Sequence, residues 1–111
     1  HDNTEEAVEP GSAALAEQLN VFLLEDVTTN LAAPTETWIR MAVALVFAGP
    51  PEPQVAELVH QDFLAYLRTV KAQQIEGPSG FQHLRSDLQE RAILRSEGRV
   101  KQILIRTLLL E

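Results

Sequence analysis

Apolar positions change their spacing twice along this chain. In "WIRMAVALVF" (38–47), Ile39, Met41, Val43, Leu45 and Phe47 alternate with Trp38, Arg40, Ala42, Ala44 and Val46. Successive side chains of a strand point to opposite faces, so the alternation predicts a strand with one strongly apolar face. Upstream, "NVFLLEDVTTNL" (20–31) carries four β-branched residues and ends in a turn-prone Asn ahead of "AAPTE". It predicts one strand, and the short loop to the next favours an antiparallel hairpin.

After "GPPEP" the spacing becomes three and four. Val55, Leu58, Val59, Phe63, Tyr66, Leu67 and Val70 form one stripe, which predicts a helix opened by Pro53 and running to about Gln74. Gly77 and Pro78 should stop it, and Ser79 with Gln82 forms a capping box that restarts a helix. Phe81, Leu84, Leu88 and Ala92 would be its buried face, and Gly98 in "RSEGR" its stop. "EGPSG" therefore reads as a joint between helices. A phosphate-binding loop would need Gly, four residues and Gly-Lys-Ser/Thr after a strand, whereas Gly80 is followed by Phe81 and preceded by a helix.

The closing run "VKQILIRTLLLE" sends Ile103, Ile105 and Leu109 one way and Leu104, Leu108 and Leu110 the other. Both faces then need cover, so this strand is expected to be central in its sheet or covered by another chain. The order β-β-α-α-β gives an α+β fold class, a small sheet of about three strands with two main helices on one face. Residues 1–19 read as an acidic lead-in or linker, broken by Pro10 and Gly11, with a short helix capped by Ser12 and carrying Leu15 and Leu19. Residues 20–111 form the domain.

Composition narrows the classes of function. At 111 residues the chain supports one hydrophobic core. It has no cysteine, which removes disulfides and thiolate metal sites. No apolar run approaches the roughly 20 residues that a membrane helix needs. The chain starts at His1 with no Met and no basic-then-apolar leader, which reads as an excised or processed part of something longer. The formal charge of −7 is uneven: residues 1–62 hold eleven acids and one base, Arg40, whereas 63–111 hold eight bases and five acids. Such a balance argues against nucleic-acid binding, which needs a concentrated cationic face. The two halves are either simply solvated or favour head-to-tail contact between copies.

Candidate chemistry is sparse. His60 and Asp62 lie too far around a helix to share a metal, and His83 with Asp87 has no further ligand in reach, so no metal and no cofactor are expected. No Ser-His-acid spacing or nucleophile elbow is present, and no catalytic residue is assigned. Asp62 falls inside the apolar stripe, where a carboxylate either reaches water at the rim or takes a partner from Arg68, Arg91 or Arg95. Arg85, Arg91, Arg95 and Arg99 form a basic strip that is either solvated or a protein interface. The helix start at Ser79 and Gly80 with Arg85 leaves an alternative, a module that senses a small ligand or anion.

In that order, "VTTNL" with "WIRMAVALVF", the helix "HQDFLAYLRTVK", "FQHLRSDLQER" and "GRVKQILIRTLLLE" resemble the soluble domain of the FliL family of flagellar basal-body-associated proteins. The likeness runs from about residue 20 to residue 111. By position, the family's strand-ending Asn-Leu falls on Asn30 and Leu31, its helix aspartate on Asp62 and its Leu-Arg pair on Leu84 and Arg85. Gln61 and Glu111 depart from the family's usual Arg and Gln. The resemblance implies a stomatin-like fold, a membrane helix upstream of His1 and a periplasmic position. It also implies a homo-oligomeric ring around the stator proteins MotA and MotB, in contact with the basal body. It implies no enzyme activity.

Overall fold

The computed structural model describes residues 20–111; the short helix expected at 12–19 lies outside them. Four strands and two helices follow in the order β1 (Val21–Leu23), β2 (Val27–Asn30), β3 (Trp38–Phe47), α1 (Pro53–Leu67), a 3-10 turn (Ala72–Ile75), α2 (Gly77–Arg95) and β4 (Val100–Leu110). The α+β class and the order of elements are those the sequence predicts, with one strand resolved into two.

That division is a bulge. Leu23 pairs with Ala44 and Val27 with Met41, so four steps on one strand match three on the other. The break falls on Leu24–Asp26, where the Leu24 amide still donates to the Val43 carbonyl at 2.9 Å. Thus β1 and β2 lie end to end along one edge of β3, and β4 runs along the other, all antiparallel to it.

The five predicted core positions of β3 are 0 or 1% exposed. They face Val55, Ala56, Val59, Phe63 and Leu67 of α1 and Leu84, Leu88 and Ala92 of α2, all buried. The heptad-like spacing explains why these side chains reach one face. Two members of the expected stripe depart from it: Leu58 is 46% exposed, and Val70 is buried only beyond the helix end.

The first helix stops at Leu67 rather than near Gln74. The chain turns there because the backbone of 70–72 is used elsewhere: Ala32 N–H donates to Val70 O, and Ala72 N–H to Ala33 O, both at 2.8 Å. This ties the first strand pair to the joint. The second helix starts at Gly77, not after Ser79, and the expected Ser79–Gln82 capping box is absent, with Glu76 at the cap position. Gly77 has φ +75°, a backbone open to glycine. Gly80 lies so close to the 3-10 turn that a Cβ would meet the Ile75 carbonyl carbon at 2.6 Å. A reciprocal bond does form one turn earlier, where Lys71 N–H donates to Gln74 Oε1 at 2.7 Å. At the other end Gly98 takes φ +84° and ends the helix as expected.

Of the two arrangements expected for the final strand, central in its sheet or covered by another chain, the first does not hold. The strand pairs with β3 alone among the described strands and is an edge. Its register skips Arg106 between the pairs Ala42–Thr107 and Val43–Ile105. The skipped residue inverts the alternation, so Leu108 and Leu110 join Ile103 and Ile105 on the helix side, while Leu104 and Leu109 face away.

Candidate functional site

The densest polar network joins the two helices. Asp62, one turn from the end of α1, is only 14% exposed in its side chain and sits between buried Val59 and Phe63. A carboxylate there needs a partner, and Arg91 supplies it with two bonds, Nε to Oδ2 at 2.7 Å and Nη2 to Oδ1 at 3.1 Å. Of the three arginines offered by the sequence, Arg91 is therefore the partner. Arg68 instead donates to Thr29 Oγ1 at 2.9 Å.

The Arg91 guanidinium also lies 4.6 Å from the centroid of the Tyr66 ring. Tyr66 in turn donates its hydroxyl to Asp87 Oδ2 at 2.7 Å. A continuous chain of contacts thus runs Asp62, Arg91, Tyr66, Asp87, with two members from each helix. Burial first, and then the bond to Asp87, push the Tyr66 hydroxyl up to about 12. The Asp62 bond holds Arg91 more firmly protonated than a free guanidinium. Such a network locks one helix on the other.

The basic strip does not form one surface. Arg91 turns inward, and Arg99 leaves the helix to pair with Glu52 at 2.8 Å across the mouth of the β3–α1 loop. Arg85 is half-buried and Arg95 exposed. Arg95 borders a cavity of about 250 Å³ with Asp62, Arg91 and Leu94, and Leu94 is 70% exposed. Asn30 ends β2 and Leu31 is buried beside it, where they fix the turn into β3.

The start of α2 forms a broad open depression of about 620 Å³, bordered by Ser79, Gln82, His83 and Arg85. His83 and Asp87 also border a second cavity, of about 360 Å³, below Tyr66. Among the described residues no cluster of three His, Cys, Asp or Glu side chains could hold a metal ion. No described helix is long and apolar enough to cross a membrane.

Two features were not expected from the sequence. Ser96, 3% exposed, accepts the Val100 amide at 2.9 Å and donates to Ile93 O, fastening the α2–β4 turn. Gln89 reaches the edge of β4 and accepts the Ile103 amide at 3.0 Å. Neither polar residue belongs to a spacing that announces such a role.

A family model described as flagellar basal body-associated protein FliL matches residues 21–110, from the first residue of β1 to the last of β4. No curated protein matches the chain.

Proposed function

This chain belongs to the FliL family of flagellar basal body-associated proteins, and from that premise we propose that it braces the stator of the flagellar motor. An accessory role at the flagellar basal body comes with the family. Beyond that, the proposed protein is a non-enzymatic periplasmic domain, held to the inner membrane by a helix upstream of His1, that oligomerises around MotA and MotB.

The family match over nearly the whole described domain carries this reading. The geometry is compatible with it. A brace needs stiffness and surface, and the Asp62–Arg91–Tyr66–Asp87 chain supplies stiffness between the helices. Surface is supplied by large apolar side chains left in solvent: Leu94 at 70%, Leu23 at 60%, Leu109 at 48% and Trp38 at 47%.

Deleting the gene and comparing swimming in dilute and viscous media tests the proposal. A deficit that grows with load, and is restored by the full-length gene, is expected. Equal swimming of deleted and complemented cells at every viscosity would contradict it.

A further inference from the structure

The two halves of β4 are built differently. Its upstream half carries Lys101 and two register shifts, and the Gln89 side chain occupies the outward Ile103 amide. Lysine, bulges and covering side chains are the devices that blunt a sheet edge. Downstream of Arg106 the sequence is Thr107-Leu108-Leu109-Leu110, with no proline, no charge and no further bulge.

The ladder fixes which backbone groups this half presents. Trp38 and Glu111 exchange both backbone bonds, each 2.8 Å long. In an antiparallel ladder such pairs alternate, so Leu109 and Thr107 point their amides and carbonyls at β3. Leu108 and Leu110 point theirs to the opposite side, where no described strand pairs.

We propose that this edge pairs antiparallel with the same edge of a second copy of the chain, about a twofold axis at Leu109. The edge is self-complementary in three respects. First, this register sets Leu108 opposite Leu110 of the second copy, twice, and four backbone bonds close between outward-facing groups. Second, it matches apolar side chains on both faces: Leu109, 48% exposed, meets its symmetry mate on the open face, and Leu110, 42% exposed, meets half-buried Leu108 on the helix face. Third, no like charges oppose: Glu111, which pairs with Arg40 of its own chain at 3.6 Å, falls opposite uncharged Thr107, next to Arg106 of the second copy, at both ends of the pairing.

α2 reaches β4 at Ile103, and the twofold carries the second copy's helices to the far end of the joined sheet. The pairing is isologous and closes at two copies, so it supplies a dimeric unit of the self-assembly proposed above and rests on that reading for its biological use.

The absence of cysteine makes a clean test possible. In the 111-residue chain, Leu109→Cys puts one thiol at the twofold, at a non-hydrogen-bonded pair where Cβ atoms approach within disulfide reach. Mild oxidation should give a covalent dimer. Thr107→Cys should not, because its symmetry mate would be offset by four residues, about 13 Å. Leu23→Cys, more exposed but remote, should not either.

Adding Leu110→Pro removes two of the four bonds while sparing the β3 ladder, whose bonds do not use that amide. Dimer yield should fall about tenfold or more, with the melting curve confirming the fold.

Cross-linking of all three cysteine variants at similar rates would overturn the proposal. So would a photo-cross-linker at position 109 that captures residues 1–19 or a different protein. Higher-mass species in light scattering without Leu109→Cys cross-linking would overturn the edge and leave self-assembly standing. A monomer at every concentration would overturn both, while the motility test remains separate.

Discussion

Removing either partner of the Asp62–Arg91 pair should reveal an asymmetry set by burial. Asp62 retains 14% of its side-chain exposure and Arg91 40%. With Asp62→Ala the arginine loses two charge-assisted bonds but can turn to water, so a loss of about 1.5–3 kcal/mol is expected. With Arg91→Ala a carboxylate is left among Val59, Phe63 and Tyr66, and the guanidinium stacked 4.6 Å from Tyr66 is gone as well. That loss should be larger, about 3–4 kcal/mol, approaching the value for breaking a buried pair.

For a domain of this size 1 kcal/mol moves Tm by about 4–8 °C, so both variants are measurable by thermal and urea denaturation. The double variant should cost less than the sum of the singles, with a coupling of about 1–2 kcal/mol. Singles within about 0.5 kcal/mol of the parent, and additive, would refute the view that this pair locks the helices, and place it with ordinary surface ion pairs.

Tyr66 is the single tyrosine, so tyrosinate absorbance reports it alone, and it should titrate near 12 rather than 10. Its folded value is raised, so its contribution to stability is complete below pH 10 and lost as pH rises towards 12; Asp87→Asn should move the titration back towards the ordinary value. Gly80→Ala should destabilise by about 1–3 kcal/mol, because the new methyl meets backbone atoms of Gln74 and Ile75 at 2.6–2.9 Å. Gly49→Ala, with nothing within 4 Å, is its control in the same denaturation series. Ser96→Ala should cost about 1–3 kcal/mol by orphaning the buried Val100 amide, read from the urea midpoint.

What could be read from the sequence followed from periodicity. β3, most of the core face of both helices and the Gly98 stop depend on local spacing and stand where the pattern put them; Leu58 is exposed, Val70 lies beyond its helix, and Phe81 is only half-buried, with Gly80 buried beside it. The departures share another cause: each depends on a partner distant in the chain. Leu67 ends α1 because the strand-turn residues Ala32 and Ala33 engage the backbone of 70–72. Gly80 is a packing glycine because Ile75 lies against it.

The bulge at Arg106 shows how much one residue can change. Strict alternation divides the leucines of β4 between two faces, and a single unpaired residue gathers Leu108 and Leu110 onto the side of Ile103 and Ile105. In the helix network the anomaly of a carboxylate within an apolar stripe was visible beforehand. The choice of Arg91 over Arg68 and Arg95 was not, since it depends on how the helices face each other.

The central claim concerns a loaded motor, and counting stator units there tests it most directly. In single motors tethered under high load, torque steps and fluorescent MotB count the engaged units in cells lacking this protein and in cells supplied with it. A bracing role predicts fewer units and shorter dwell times without it, both restored by the full-length protein. Equal unit numbers and dwell times in the two strains would contradict the account.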